Sequence, residues 1–244
     1  MAKYNMKLLS DEVARKILKE LRFGAFRNNR YLPTERDMAI RMNVSRTVIR
    51  DALSILEGEG FVSRKQGFGT IINLHVLKIP TRMDLEVEFM DMVSDIGKKP
   101  DIALFKVREE YADEIKANNL GVVEGNKLLA IERTVSADGA NVIYCTDYIS
   151  KSLIIDNNYT KTDLRKPIFY FLEKFCNSSV YMDLTEVKAI LADEHLANIF
   201  NIKVGEPVMH MDEIGYNFIG DPVLYSSEYY KEGIFNHTVL RKKI

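Results

Sequence analysis

An amphipathic segment at residues 45–58 constrains the fold of the first third of the chain more than any other feature. Ser45 is a favourable helix N-cap, and apolar residues follow it at helical spacing. At about 100° per residue, these apolar residues fall on one side of a helix. Arg46, Thr47 and Arg50 fall on the opposite side. The pattern predicts a helix that packs on one side and presents arginine to solvent on the other.

The elements around this segment are short and closely spaced. A first helix is predicted from Ser10 to Gly24, and a second opens at Pro33-Thr34. After the amphipathic segment, two β-rich pairs flank the glycine-containing turn at residues 66–69. Three short helices followed by a hairpin indicate a winged helix-turn-helix domain, which we predict over residues 1–72.

Charge is unevenly distributed along the 244 residues, although the formal net charge is only −1. Residues 1–76 contain 14 Lys or Arg and 8 Asp or Glu, whereas residues 77–244 contain 20 and 27. The front of the chain is therefore basic and the rear is acidic. This division favours contact between the front and a polyanion such as nucleic acid.

The rear of the chain has the pattern of a second domain. Residues 73–83 contain Pro80 and show no clear period, so we predict a linker there. Residues 84–244 then alternate strands with short helices, and Asp138-Gly139 and Gly220-Asp221 mark two hairpins. This alternation indicates an antiparallel α+β domain.

Several function classes are disfavoured by composition. The chain has no run of eighteen apolar residues, so we expect no membrane partner, and its N-terminus lacks the features of a secretory signal. Two cysteines are too few for a disulfide framework, and the four histidines show no ligand spacing. We therefore expect a cytoplasmic protein without a metal or other cofactor.

Four motifs occur in order in the basic front of the chain. They are Leu32-Pro-Thr-Glu-Arg36, Val44-Ser-Arg-Thr-Val-Ile-Arg-Asp-Ala-Leu53, Leu56-Glu-Gly-Glu-Gly-Phe-Val62 and Arg64-Lys-Gln-Gly-Phe-Gly-Thr70. Their order and spacing closely resemble the DNA-binding domain of the GntR family of bacterial transcription regulators. The resemblance covers roughly residues 7–73.

This resemblance implies a set of DNA contacts. Arg46 and Arg50 would read bases in the major groove, where arginine can donate two hydrogen bonds to guanine, and Arg36 would reach the same groove edge. The other implied contacts are Ser45, Thr47, Arg64, Lys65, Gln66, Gly67 and Gly69. Val48 stands where the family often has a second threonine, so a contact at that position stays open.

The rear domain has a second resemblance, carried by shorter motifs. These are Phe89 with Gly97-Lys-Lys-Pro100, Ile131-Glu-Arg133 leading to Asp138-Gly139, Leu191-Ala-Asp-Glu194, Gly205-Glu-Pro207, and Gly220-Asp-Pro-Val223 with Tyr230-Lys231. Together they resemble the UTRA domain, the effector-binding half of the HutC subfamily of GntR regulators. The resemblance implies an antiparallel sheet similar to chorismate lyase, with a pocket for small organic acids or sugar phosphates.

The implied effector site combines a few polar groups with apolar ones. Its residues are Phe89, Met90, Arg133, Val135, Cys145, Tyr148, Leu224 and Tyr230. Arg133 and Tyr230 match polar positions of the family, whereas Met90, Val135, Cys145 and Leu224 replace other polar groups. Because burying an unpartnered phosphate is costly, we expect a small organic anion on Arg133, with a sugar phosphate as the alternative. An ordinary salt bridge is the competing interpretation of Arg133.

The sequence thus predicts a ligand-responsive transcription regulator, most simply a repressor released from its operator by an effector. It should bind palindromic double-stranded DNA as a homodimer, with the acidic rear halves in contact. We expect a protein that is not an enzyme, although an enzyme that uses the lyase-like fold is the alternative from another class. A third class, an architectural DNA binder that has no ligand, is disfavoured by the well-formed second domain. A shared fold by itself does not imply a shared chemistry.

Overall fold

A computed structural model describes residues 2–242, with side chains from residue 9 onwards in the first helix. The chain divides into two compact units. The first unit comprises Met1–Glu86 together with His237–Ile244, and the second comprises Val87–Asn236. The first unit is therefore built from both ends of the chain. Among the described residues, no helix is both long and apolar enough to cross a membrane.

The first unit is a helical domain with a two-stranded antiparallel hairpin. Its elements are α1 (Ala2–Phe23), α2 (Glu35–Met42), α3 (Arg46–Gly58), β1 (Val62–Lys65), β2 (Gly69–Ile72) and α4 (Leu74–Leu77). The Thr34 side chain caps α2 and the Ser45 side chain caps α3, each accepting a backbone N–H three residues on. Asn43 adopts a φ of 54°, which ends α2 and turns the chain into α3.

The core of this unit forms where the apolar sides of α1 and α3 meet. Ile17, Leu21, Ile49, Leu53 and Phe61 are among its fully buried side chains. This burial fixes the orientation of α3, because turning the helix would expose its apolar side. The predicted winged helix-turn-helix plan is what the sequence folds into here.

Two predicted boundaries in this unit differ from the structure. Helix α1 begins at Ala2, and Ser10 lies buried inside it rather than capping it, because Ala, Lys, Met and Leu before Ser10 favour helix. The segment predicted as a linker over residues 73–83 contains α4, and Val76 belongs to the core. A single helical turn is too short to show a period, which is why the sequence pattern does not reveal it.

The second unit is a six-stranded antiparallel sheet with helices on both faces. Its strands are β3 (Pro100–Tyr111), β4 (Lys127–Ala137), β5 (Ala140–Ser150), β6 (Met182–Leu191), β7 (Pro207–Tyr216) and β8 (Pro222–Lys231), in the order β3-β4-β5-β8-β7-β6. Its helices are α5 (Phe89–Asp95), α6 (Glu114–Leu120), α7 (Lys161–Leu164), α8 (Ile168–Phe175) and α9 (Glu194–Phe200), with a 3-10 turn at Lys151–Leu153. The predicted α+β class is confirmed.

The two faces of this sheet are covered differently. One face, which we call the Arg133 face, packs at one end against α8, through Ile131, Ile149 and Phe171. The opposite face, which we call the Tyr148 face, is covered by α6 and α9. Side chains alternate between the faces along each strand, so the register alone assigns each sheet residue to one face.

Replacing Leu53 by alanine should lower the unfolding free energy of the first unit by about 2–5 kcal/mol, because a fully buried leucine leaves a cavity. Urea titration followed by hydrogen exchange of α1 and α3 peptides measures the loss. Ile40→Ala is the control, since this side chain is exposed on α2. Equal effects of the two substitutions would contradict the assigned core.

Candidate DNA-binding surface and effector site

The arginines at the start of α3 lie on the surface of the first unit. Arg46 has 69% of its side chain exposed, and its guanidinium is 4.0 Å from the Glu35 carboxylate. Thr47, Arg50 and, on α2, Arg36 are also exposed. The capping of α3 by Ser45 and the burial of its apolar side together hold these groups at one end of the domain.

Val48 has no surface role in this structure. Its side chain is 3% exposed and belongs to the core, while its backbone N–H donates to the Ser45 hydroxyl at 3.3 Å. An apolar residue suits this environment because a threonine hydroxyl there would need a buried partner. The open question about a contact at position 48 therefore receives a packing explanation.

Arg64 holds the hairpin against α3. Its Nε donates to a Glu57 carboxylate oxygen at 2.8 Å, and one terminal nitrogen donates to the Ser54 hydroxyl at 2.8 Å. The Glu57 carboxylate also accepts the Arg64 backbone N–H at 2.8 Å. The structure thus gives Arg64 an internal role, and the phosphate contact that the sequence resemblance implies stays a prediction.

The tip of the hairpin is exposed, and its glycines leave the backbone accessible to another molecule. Lys65 and Gln66 are exposed, and Gly67 and Gly69 have φ values of 81° and 79°, which L side chains rarely adopt. Phe68, between the two glycines, is 60% exposed, and the Lys65 ammonium lies 5.0 Å from its ring centroid. Phe68 was not among the predicted contact residues, although an aromatic residue between two turn glycines is visible in the sequence.

Strand register brings most of the predicted effector residues onto the Arg133 face. Arg133 pairs with Cys145, which pairs with Glu228 on the next strand. One step along, Val135 lies opposite Ile143, and Ile143 lies opposite Tyr230. The Phe89 ring, at the start of α5, is 6.5 Å from the Tyr230 ring. Leu224 lies in the buried cluster against α8, and Met90 is half-buried on α5.

Tyr148 does not belong to this group. It pairs with Ala130 and Tyr225, on residues that alternate with those of the Arg133 face. Its ring stacks on Tyr225 with centroids 5.5 Å apart and packs near α6. The prediction that Tyr148 restores polarity to the effector site is corrected by the period of two along β5.

Arg133 is paired within the second unit. Its side chain is 5% exposed and donates to Asp147, to the Leu164 carbonyl at 3.0 Å and to the Lys166 carbonyl at 3.3 Å. Asp147 also accepts the Ser226 hydroxyl at 2.7 Å. Arg133 therefore forms the salt bridge that was the competing interpretation of this residue. Only some of its N–H groups are left to donate to a ligand.

Three further carboxylates face this group, and sequence analysis missed all three. The Tyr230 hydroxyl donates to Glu228, and the Thr185 hydroxyl donates to Glu213 at 3.0 Å. Burial raises the pKa of Glu213 to about 7. Burial also raises the pKa of Glu88 to about 7, against the opposing charge of Arg133. Glu228 lies two residues before Tyr230 on β8, so the period of two along a strand predicts that both face the same side of the sheet.

Burial sets the chemistry of the groups on this face. Burial raises the pKa of the Cys145 thiol well above its usual value, which keeps it protonated and a poor nucleophile. Within the described residues, no group of three or more His, Cys, Asp or Glu side chains is placed to hold a metal ion. What the face offers is a set of buried hydrogen-bonding groups beside an apolar wall.

Solved structures similar to this chain share its fold. The crystal structure of YydK from Bacillus subtilis has a TM-score of 0.72 and 17% identity, covering 96% of this chain and 99% of that one. The crystal structure of PhnF from Mycobacterium smegmatis has a TM-score of 0.59 and 19% identity, covering 94% and 99%.

Sequence comparisons identify both halves. The chain is 25% identical to the HTH-type transcriptional regulator GgaR of Escherichia coli over 217 residues, 88% of this chain and 84% of the relative. It is 22% identical to a Shigella flexneri protein named probable fructoselysine utilization operon transcriptional repressor, over 99% of this chain and 98% of that one. Residues 9–72 match the bacterial regulatory proteins of the gntR family, and residues 95–235 match the UTRA domain. The predicted resemblance is confirmed: the chain belongs to the GntR family and is a ligand-responsive DNA-binding transcription regulator with a UTRA effector domain.

Proposed function

We propose that this regulator is a cytoplasmic repressor that binds a palindromic operator as a homodimer and is released by a small effector. The observation that carries the proposal is the exposed arginine group of Arg36, Arg46 and Arg50, fixed beside an exposed glycine hairpin. A helix that presents its first turns in this way suits the major groove. The effector must bind the DNA-incompetent state more tightly, or it would not release the operator.

The DNA contacts divide by chemistry. Arg46 and Arg50 can each donate two hydrogen bonds to a guanine edge, which makes them the specificity residues. Ser45, Thr47, Lys65, Gln66 and the backbone of Gly67 and Gly69 suit phosphate and sugar contacts, which position the protein without reading sequence. Arg64 supports this surface from inside, because it joins the hairpin to α3.

The effector proposal starts from the charge of the Arg133 face. Arg133 is neutralised by Asp147 and already donates to two carbonyls. Glu228, Glu213 and Glu88 add negative charge or acceptor oxygens nearby. A phosphate or a simple carboxylate would meet repulsion there and would find few free donors. We therefore favour an effector that presents an ammonium group or several hydroxyls, in place of the organic anion or sugar phosphate expected from sequence.

The dimer proposal rests on strand β6. This ten-residue strand ends the sheet order, and no described strand pairs with its outer edge. Its side chains Met182, Leu184, Val187 and Leu191 are all exposed. An edge strand with several exposed apolar side chains invites pairing with another strand, and a closed dimer with a second copy satisfies it symmetrically.

Substituting Arg46 or Arg50 by alanine should cost about 1–3 kcal/mol of discrimination between operator and unrelated DNA, because base contacts are lost. The operator is a duplex selected from a random library by the wild-type protein, and fluorescence anisotropy measures binding at fixed salt. Lys203→Ala removes the same charge from an exposed site on the second unit and should leave discrimination unchanged. Wild-type footprints from both arginine variants would refute the DNA surface.

Thermal-shift assays should show stabilisation by amines or polyols and little by sugar phosphates or short carboxylates. Since Glu88 and Glu213 have pKa values of about 7, an ammonium ligand should stabilise the protein more at pH 8 than at pH 6. Glu228→Gln should reduce this stabilisation, whereas Glu232→Gln, on the surface, should not. Stabilisation by phosphates or carboxylates alone would restore the sequence-based expectation.

Leu184→Asp should shift the protein towards monomer in sedimentation velocity experiments, because a charge on the apolar edge must be desolvated to pair. Val123→Asp provides the matched control, as Val123 is an exposed apolar residue between α6 and β4. A dimer of unchanged strength in the Leu184 variant would place the interface elsewhere.

A further inference from the structure

The two chain segments that flank the second unit in sequence lie side by side on the first unit. The Thr238 N–H donates to the Thr81 carbonyl at 3.2 Å, and the Met83 N–H donates to the Thr238 carbonyl at 2.9 Å. Arg82 and Thr238 form a parallel bridge between the segments. We call residues 81–84 and 238–242 the clasp.

The first half of the clasp is anchored by Arg82, which is buried. One terminal nitrogen donates to the Glu59 carbonyl, directly after α3, at 2.6 Å. Its Nε donates to Asp84 at 3.1 Å, and its guanidinium lies 5.1 Å from the Phe61 ring centroid. Hydrogen bonding to Arg82 lowers the pKa of Asp84, so the pair stays charged.

The second half of the clasp reaches the same end of α3. The Lys242 ammonium donates to the carbonyls of Glu57 and Gly58, the last residues of the helix. A cation at a helix C-terminus is favourable because the final carbonyls carry partial negative charge and lack helical partners. Leu240 packs directly on Gly60, where an added Cβ would lie 2.3 Å from a Leu240 methyl carbon.

We propose that Arg82 and Lys242 are positioning residues for the recognition helix: they hold the C-terminal end of α3 so that its first turns present Arg46 and Arg50 to DNA. This inference rests on the proposed operator contacts of α3. The chain segments on either side of the second unit in sequence, residues 81–84 and 238–242, therefore both contact the C-terminal end of α3.

The clasp also contains a group whose hydrogen-bonding capacity is unused. The Thr81 hydroxyl is buried, with the residue 4% exposed, and it has no hydrogen-bond partner among the described residues. A buried unpaired hydroxyl disfavours the state that buries it. Burial of this hydroxyl therefore destabilises the contacts between the two segments of the clasp. Thr81→Val removes the hydroxyl and keeps the side-chain shape, so it should stabilise these contacts.

The test uses the full-length protein, without effector, in three clasp variants: Lys242→Met, Lys242→Arg and Thr81→Val. Hydrogen exchange reports the protection of residues 55–60, and anisotropy reports affinity for the selected operator. Lys242→Met should speed this exchange and weaken operator binding about two- to fivefold, from the usual strength of a cation at a helix end. Lys242→Arg should restore both values, and Thr81→Val should slow the exchange.

Arg241→Met is the control, because Arg241 is the exposed neighbour of Lys242 and should change neither measurement. The inference would be overturned if Lys242→Met showed the same hydrogen exchange and operator affinity as the wild type. It would also be overturned if Lys242→Arg restored neither value beyond that of Lys242→Met. If Arg46→Ala weakens operator binding while Lys242→Met does not, the DNA surface stands and the positioning role fails. If Arg46→Ala binds the operator normally, the proposed DNA-binding surface is wrong. Hydrogen exchange of residues 55–60 then remains the test of whether Lys242 holds the end of α3.

Discussion

Burial of the apolar side of α3 is the constraint on which the rest of the DNA-binding unit depends. Ile49 and Leu53 are fully excluded from water, so the helix has one orientation in which its packing is satisfied. That orientation leaves Arg46 and Arg50 exposed, with the Glu35 carboxylate 4.0 Å from the Arg46 guanidinium. The second half of the same helix binds Arg64 of the hairpin, through Ser54 and Glu57, and its last carbonyls bind Lys242. Helix α3 therefore packs in the core, presents the arginines and contacts the segments that lead to the second unit.

The effector domain follows a different physical rule, in which buried charge must be partnered. Arg133 is compensated by Asp147 and two carbonyls, and Glu228 by the Tyr230 hydroxyl. Such a network is costly to leave half satisfied, so a ligand that enters it must replace the hydrogen bonds that it disrupts. For the proposed effector, this requirement would give selectivity by hydrogen-bond geometry as well as by charge. It also explains why Met90, Val135 and Cys145 are tolerated beside ionisable groups, since they present no polar atoms that compete strongly.

The sequence predicted helices, strands and turns better than it predicted which side chains contact each other. The strand hairpins at Asp138-Gly139 and Gly220-Asp221 were visible because turn residues and periods are local signals. The surface placement of Arg46 followed from helical spacing in the same way. The pairing of Arg133 with Asp147, the engagement of Arg64 by Glu57 and the place of Tyr148 depend on register and on contacts between distant segments, which no short window contains. For residues carried over from the family resemblance, the exposure of Arg46 follows from the backbone alone, whereas the partners of Arg64 and Arg133 depend on neighbouring side chains.

The return of the chain end to the first unit has a consequence for how the protein matures and is handled. Residues 238–242 follow the second unit in sequence, so a nascent chain that has completed the winged domain still lacks the groups that contact the end of its recognition helix. Full DNA-binding geometry would then arise only after the whole effector domain has left the ribosome, which couples operator occupancy to a finished sensor. For the same reason, a front domain cut after residue 86 would lack part of its own structure.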